Sequence, residues 1–169
     1  KTKKKDFRNN FEELYFRKAF EENSEAMLNY CYFLKSEVTL YKAYDLLKRE
    51  FYEKDEEGKR KLRIGYTIGK IDLIFRYKRN IFIGEIKYQP YEGKDFWDAL
   101  KVVGYCVYYN WQIENQGLKE KIVPAILMPL SRIKLEHKIV ANRLNVVIFG
   151  IEKIKEGYKL HPINFPINQ

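Results

Sequence analysis

Three ionisable side chains stand near the ends of two neighbouring apolar segments. Asp72 begins the segment 71–77, and Glu85 and Lys87 end the segment 81–88. Two carboxylates held close together repel each other unless a cation compensates them. Mg²⁺ binds one or two carboxylates, polarises a phosphate ester and lowers the pKa of a bound water. These residue types therefore predict metal-dependent phosphodiester hydrolysis, with Lys87 orienting the water or stabilising charge on the phosphorane.

The two apolar segments predict a β-hairpin that brings these side chains together. If residues 78–79 form a two-residue loop, Asp72 lies directly across from Glu85. Side chains on a strand alternate faces with period two, so Lys87 shares their side. A bulge at Asn80 is the alternative, and a second irregularity would then be needed to keep Asp72 on that side.

A chemically inert interpretation of the same residues is a buried ion triad. In that case Lys87 alone compensates Asp72 and Glu85. Buried triads are poor stabilisers compared with apolar packing, so they are seldom kept for stability alone. This argument favours the metal interpretation but leaves both open.

Composition and charge limit the class of partner. The chain has 169 residues, of which 46% are hydrophobic, and a formal net charge of +9. The charge favours a polyanion, with nucleic acid first and an anionic membrane surface second. No apolar run approaches the roughly 18 residues of a membrane span, so no membrane span is expected. The further expectations are a nucleic-acid partner instead of a membrane and a cytoplasmic location. Cys31 and Cys106 match no metal spacing, and we expect buried free thiols.

Helical patterns predict an N-terminal extension over 1–35. In residues 6–21, one face gathers apolar side chains, and the expected stripe is Phe7, Phe11, Leu14 and Tyr15. A nuclease-like core is expected over 36–156 and an irregular tail over 157–169. Within the core, Ser36 is a plausible N-cap for a helix through about residue 53. Glu37 would point inward at the start of that helix, where an acid either joins the site or simply favours the helix dipole.

The remaining segments complete an α/β pattern. After the loop at 88–94, a helix is expected over 95–112, and Gly117 precedes the next strand. The later expected elements are a strand at 122–128, a helix near 132–142 and a strand at 145–151. The predicted fold class is α/β, a mixed β-sheet flanked by helices on both faces, with an N-terminal helical extension.

Gly69-Lys70-Ile71-Asp72 followed by Gly84-Glu85-Ile86-Lys87 resembles the bipartite motif of the restriction-endonuclease-like PD-(D/E)XK nucleases. The expected order of elements across about 36–130 is similar to the core of that family. The small size and basic charge look most like archaeal Holliday-junction resolvases and related archaeal viral nucleases. The resemblance implies a DNA nuclease that uses Mg²⁺ or Mn²⁺.

Carried over residue by residue, the resemblance assigns the site. Asp72, Glu85 and the backbone carbonyl of Ile86 would bind the metal, and Lys87 would be the catalytic lysine. Glu37 matches the acid that many members add from the helix before the first strand. Ile71 replaces the usual proline.

Further positions bear on DNA binding. Lys101 and Tyr105 hold the spacing of the Gln-x-x-x-Tyr motif of RecB-like exonucleases, with lysine in place of glutamine. We expect phosphate contacts from Lys94 and Lys101 and a substrate contact from Tyr105. Solvated surface lysines and a core tyrosine are the alternatives.

Three functions stay open at this level. The first is a DNA nuclease, either structure-specific for branched DNA or an exonuclease, with a homodimer expected for junction resolution because two symmetric strands must be cut. The second is a nucleic-acid-binding module that keeps the fold without hydrolysis. The third is an interaction protein whose partner surface is residues 1–35.

Overall fold

The computed structural model describes the backbone of residues 2–41, 52–54, 57, 60–62, 67–88, 95–113 and 120–165. Side chains are described for residues 11–40, 57, 69–88, 99–110, 113 and 120–165. In chain order the elements are α1 (Thr2–Met27), β1 (Cys31–Tyr41), β2 (Tyr52–Lys54), β3 (Arg60–Leu62), β4 (Thr67–Tyr77), β5 (Asn80–Ile86), α2 (Asp95–Gln112), β6 (Lys121–Pro129), a 3₁₀ turn (Leu130–Arg132), α3 (Leu135–Leu144), β7 (Val147–Ile154) and β8 (Gly157–Pro162).

A six-stranded mixed sheet organises the protein, in the order β1-β4-β5-β6-β7-β8. The β1, β4 and β5 strands are antiparallel neighbours, whereas β5, β6 and β7 run parallel and β8 returns antiparallel. The parallel crossovers pass through α2 and α3, as parallel strands require. The predicted α/β mixed sheet with flanking helices and an N-terminal helix is therefore confirmed.

Two apolar layers cover the sheet, one on each face. On one face, Phe16 and Phe20 of α1 pack against Phe75, Phe82 and Phe149, whose ring centroids lie 5.2–5.3 Å apart. On the other face, α2 and α3 cover a layer of isoleucines from the central strands. Aromatic and branched side chains suit a sheet buried on both faces. No helix in the described part of the chain is long and apolar enough to cross a membrane.

The central hairpin has the predicted register. Tyr77 pairs with Asn80, and the pairing continues through Leu73 opposite Gly84. Both loop residues, Lys78 and Arg79, have positive φ angles, 46° and 66°. Positive φ at both central positions gives a loop whose twist matches the flanking strands. A two-residue loop therefore forms without the Asn-Gly sequence that usually favours it.

Residues 31–41 form β1, so the helical extension predicted over 1–35 is wrong over 31–35, and the helix predicted to begin at Ser36 is wrong over 36–41. The remainder of that prediction, residues 42–53, lies mostly outside the described residues. β1 is rich in aromatic and β-branched side chains, and it gains a complete hydrogen-bonded partner in β4. This nonlocal pairing outweighs the local capping signal at Ser36.

Two further expectations need correction. Residues 157–162 of the expected irregular tail form β8, which pairs with β7. On α1 the predicted apolar stripe is also wrong, because Phe11, Leu14 and Tyr15 are exposed while Phe16 and Phe20 are buried. Phe7 lies outside the described side chains. Cys31 and Cys106 are buried and free, in opposite apolar layers.

Candidate active site

Asp72 and Glu85 lie beside each other at the end of the central hairpin. The pairing of β4 with β5 ends at Leu73 opposite Gly84, and Asp72 and Glu85 each stand one residue beyond that last pair. The backbone N–H of Ile86 donates a hydrogen bond of 2.9 Å to Oδ2 of Asp72. A main-chain donor, which the sequence analysis did not predict, therefore fixes the Asp72 carboxylate against the strand that carries Glu85.

Glu85 is the buried carboxylate of the site. Its Oε1 faces two lysines, whereas its Oε2 is buried without a hydrogen-bond partner among the described residues. Burial, reinforced by the negative charge of Asp72, raises the pKa of Glu85 to about 7, while Lys101 and Lys87 act in the opposite direction. An oxygen left unsatisfied in a low-dielectric site costs free energy and is a site for a proton or a cation.

Lys101 and Lys87 supply the positive charge beside Glu85. Nζ of Lys101, on α2, lies 3.2 Å from Oε1 of Glu85, and Nζ of Lys87 lies 3.8 Å from the same oxygen. Burial acts to lower the pKa of Lys101, but Glu85 and Tyr105 together raise it above its ordinary value. Lys101 thus remains an ammonium and makes the closer contact.

Arg17 reaches the site from α1, on the opposite face of the sheet. Its Nη2 lies 3.3 Å from Oδ1 of Asp72, and its Nη1 lies 3.1 Å from Oε1 of Glu37. Nη2 also lies 3.9 Å from Oε1 of Glu13, one turn earlier on the same helix. Burial and then Asp72 raise the pKa of Glu13, against the effects of Arg17 and Lys87. The site therefore draws charges from both helical layers.

Glu37 lies near the site but on a different element from the one predicted. It belongs to β1 instead of a helix, between the pairs Ser36–Leu73 and Val38–Ile71, which puts it across from Asp72. Its φ is 48°, an uncommon left-handed value for a non-glycine residue in a strand. Its side chain is 62% exposed and contacts Arg17. The acid that the sequence analysis selected therefore does lie near Asp72, although it was assigned to a helix instead of a strand.

Glu13 and Arg17 are the site residues that the sequence analysis missed. Glu13 precedes the buried Phe16 on α1, and Arg17 lies between the buried Phe16 and Phe20. Both are on the side of the helix that faces Asp72. The helix before the first strand of the sheet is α1, not the helix that was predicted to begin at Ser36. The spacing of Phe16 and Phe20 was the available signal, but the exposed aromatics obscured it.

Of the residues predicted to contact DNA, Lys94 lies outside the described residues. Lys101 points to the site with a side chain that is 45% exposed. Tyr105 is buried, and its hydroxyl lies against Gly69, so it is not on the surface where a direct DNA contact was expected. It supports Lys101 instead, since the ammonium lies 5.4 Å from the centroid of its ring.

The donor set fits a hard divalent cation with few protein ligands. Within the part of the chain that the structure describes, no three His, Cys, Asp or Glu side chains form a cage that could hold a metal alone. Mg²⁺ does not need such a cage, because it retains several waters. The unpartnered Oε2 of Glu85 and the fixed carboxylate of Asp72 are suitable oxygen ligands. The predicted residues are thus compatible with Mg²⁺ or Mn²⁺.

Comparisons with known proteins add little. No protein-family model matches the sequence, and no curated protein matches it. Among solved structures, one of Pyrococcus furiosus SfsA in complex with Ca²⁺ is similar at 11% identity and a TM-score of 0.33. The similarity covers 87% of this chain and 59% of SfsA, so the chain spans less than two thirds of that protein. A likeness this low carries no argument about function.

Proposed function

We propose that this chain is a nuclease that uses Mg²⁺ or Mn²⁺ to hydrolyse DNA phosphodiester bonds, and that it belongs to the PD-(D/E)XK superfamily. One observation carries the proposal. Asp72 and Glu85 stand just beyond the last pair of a buried hairpin, Asp72 accepts a hydrogen bond from the N–H of the residue after Glu85, and Glu85 keeps a buried oxygen without a partner among the described residues. Adjacent carboxylates with an available oxygen are what a hard cation requires.

In this proposal, Asp72, Glu85 and the backbone carbonyl of Ile86 hold the ion. Such an ion polarises the phosphate and lowers the pKa of a bound water. The protein's contribution is to hold these ligands in place before the ion binds. The Ile86 N–H orients Asp72, and Arg17 limits the repulsion between the carboxylates.

Lys87 is the proposed catalytic lysine. Its Nζ lies 3.8 Å from Oε1 of Glu85, and its charge lowers the pKa of Glu13. The positive charge of Lys87 therefore acts on both Glu85 and Glu13. An ammonium there can orient the attacking water or stabilise developing negative charge on the phosphate. Glu13 and Glu37 complete the acidic surroundings from α1 and β1. Their role in this proposal is to balance the positive charge of Arg17, which contacts both of them.

DNA is the proposed polyanion. The net charge of +9 favours phosphate binding, and Lys101 is open to solvent at the edge of the site. Branched DNA and free DNA ends are the two substrate classes that the family resemblance suggests. A homodimer with paired sites would favour junction resolution, because two symmetric strands must be cut. Lys94 remains a proposed phosphate contact.

The decisive experiment is cleavage of plasmid and synthetic branched DNA with Mg²⁺, Mn²⁺ or EDTA. The wild type should cleave with either ion and lose activity in EDTA. Glu85→Ala should lose activity, whereas Glu152→Gln, an acid on β7 that pairs with His161, should retain it. Cleavage that persists in EDTA or in Glu85→Ala would reject the mechanism. Products from circular and linear substrates would separate endonuclease from exonuclease activity.

The second candidate is a nucleic-acid-binding module without hydrolysis. The observation that favours it is that Arg17 and Lys101 already contact Asp72 and Glu85. Cations in those positions can balance the carboxylates as a structural ion network. Salt-sensitive DNA binding with no metal-dependent product would support this candidate.

A further inference from the structure

We propose that Lys101 is a second catalytic lysine, whose ammonium contacts a nonbridging oxygen of the reacting phosphate, and that Tyr105 positions it. This inference rests on the proposed nuclease function. It changes the predicted role of Lys101 from a general DNA contact to a group that acts on the reaction itself. It also gives Tyr105 and Gly69 defined supporting roles.

The two lysines beside Glu85 differ in contact and exposure. Lys101 approaches Oε1 of Glu85 to 3.2 Å and its side chain is 45% exposed. Lys87 is 3.8 Å from that oxygen and its side chain is 30% exposed. The charge of Lys87 also acts on Glu13. Lys87 therefore lies among the carboxylates, whereas Lys101 lies where an incoming phosphate can reach it.

Tyr105 holds Lys101 in this position. The two residues are four apart on α2, so their side chains lie on the same face of the helix. The ammonium lies 5.4 Å from the centroid of the Tyr105 ring, within the distance of a cation–π contact. Tyr105 is only 6% exposed, so its ring is fixed by the surrounding packing. A flexible lysine is thereby held next to Glu85 before substrate arrives.

Gly69 provides the space that Tyr105 occupies. A Cβ at position 69 would lie 2.1 Å from the hydroxyl oxygen of Tyr105 and 2.8 Å from the ring carbon that bears it. Those distances are too short for real contacts, so any side chain there must displace the ring. Gly69 is on β4, three residues before Asp72. One strand thus supplies both a metal-binding carboxylate and the space for the tyrosine that positions Lys101.

The chemical role follows from the charge that develops during hydrolysis. A water oxygen forms a bond to phosphorus and releases one proton to solvent, the ester P–O bond breaks, and the leaving oxygen takes up a proton from solvent. Negative charge on the nonbridging oxygens must be stabilised as the phosphorane forms. The Lys101 ammonium, held 3.2 Å from Oε1 of Glu85 on a side chain that is 45% exposed, donates a hydrogen bond to one of those oxygens. It therefore acts on the rate of the chemical step instead of only holding DNA.

The test separates the rate of cleavage from the affinity for DNA. For Lys101→Met, we expect the single-turnover rate at saturating DNA to fall about 10²-fold, the loss typical of removing one preorganised donor. The dissociation constant for the same DNA in EDTA should change by less than about threefold, since one phosphate contact among several is lost. Lys101→Arg should recover part of the rate, because it restores the charge.

Tyr105→Phe tests the positioning role with minimal change of shape. It should lower the saturating rate by about fivefold to tenfold and leave DNA affinity unchanged, a loss below that of Lys101→Met because the ammonium remains. Tyr109→Phe is the matched control, because Tyr109 is a buried tyrosine one turn later on α2 and should leave the rate unchanged. Gly69→Ala should resemble Tyr105→Phe if it folds, which thermal unfolding will show.

Each outcome has a defined meaning. If Lys101→Met weakens DNA binding but retains the saturating rate, Lys101 is a phosphate anchor and the inference is wrong. An unchanged rate and affinity would also overturn it. If the wild type shows no metal-dependent cleavage, the proposed function and this inference fail together. If the wild type cleaves and Glu85→Ala does not, the function stands, and the Lys101 variants alone decide the inference.

Discussion

Nη2 of Arg17 lies 3.3 Å from Oδ1 of Asp72, joining α1 to the strand that carries a proposed metal ligand. The contact is partly buried, with Arg17 16% and Asp72 21% exposed. Removing one member of a partly buried ion pair leaves the other charge uncompensated. α1 therefore contributes to the electrostatic balance of the site as well as to the core.

Arg17→Met should lower the free energy of unfolding by about 2 kcal/mol in metal-free buffer, below the roughly 3–5 kcal/mol of a fully buried pair. Methionine retains much of the packing of the arginine stem but removes its charge. A double-mutant cycle with Asp72→Asn should give a coupling of about 1 kcal/mol or more. The matched cycle with Glu37→Gln should give less than about 0.5 kcal/mol, because Glu37 is 62% exposed. Equal couplings would contradict this ranking.

The buried face of α1 can be tested by truncation. Phe16→Ala should destabilise the protein by about 3–5 kcal/mol, because Phe16 is fully buried against Phe20, Tyr88 and Tyr158. Leu14→Ala should change stability by less than about 0.5 kcal/mol, since Leu14 is exposed. Urea unfolding of both variants provides the measurement. A larger loss of stability for Leu14→Ala than for Phe16→Ala would instead support the apolar stripe predicted from the sequence.

The backbone at Glu37 predicts an unusual order of stabilities. With φ at 48°, Glu37→Gly should be more stable than Glu37→Ala by about 1 kcal/mol, because glycine adopts this conformation without steric cost. At Lys70, an exposed position on β4 without a positive φ, the order should be reversed, since glycine weakens ordinary strands. Thermal unfolding of the four variants compares the two positions. The same order at both positions would exclude backbone strain at Glu37.

Stability should depend on pH through Glu85. Burial and the charge of Asp72 raise its pKa from 4.5 to about 7, so the folded protein retains a proton that the unfolded chain releases. The contribution of Glu85 to the free energy of unfolding is therefore fully present below about pH 4.5 and is lost as the pH rises through about 7. In EDTA, the free energy of unfolding of the wild type should fall relative to Glu85→Gln by about 1 kcal/mol per pH unit in that window. Parallel pH profiles would disprove the shift.

Metal binding should release the same proton. Mn²⁺ affinity in the absence of DNA should fall by up to about tenfold per pH unit below about pH 7, because a carboxylate must be deprotonated to bind the ion. Calorimetry in two buffers of different ionisation enthalpy would count the protons released. Asp72→Asn should bind Mn²⁺ more weakly and show the pH dependence at lower pH, because it removes a charge that raises the pKa of Glu85, whereas Glu85→Gln should lose the pH dependence. Binding without proton release would argue against Glu85 as a ligand.

The sequence predicted the hairpin and its charged end because both depend on short-range regularities. Apolar residues in two adjacent segments, separated by a polar dipeptide, determine the pairing of β4 with β5. Asp72 and Glu85 then stand one residue beyond the last pair of that hairpin, Leu73 and Gly84. These features need no information about distant parts of the chain, so they were accessible without coordinates.

The elements that were missed depend on distant partners. β1 carries a helical capping signal, but its pairing with β4 determines its structure. β8 contains Gly157 and ends at Pro162, two residues typical of loops, yet it completes the sheet beside β7. Arg17 contacts Asp72 across 55 residues of sequence. No local pattern indicates such a contact.

The arrangement of charges around Asp72 and Glu85 also links chemistry to the completeness of folding. Arg17 arrives from the helix on one face of the sheet, and Lys101 from a helix on the other. A partly folded chain with the sheet and only one helix docked would have an unbalanced cluster of carboxylates. The proposed DNA cleavage should therefore recover during refolding later than the secondary structure followed by far-ultraviolet circular dichroism, and catalytic competence would report the docking of the last layer.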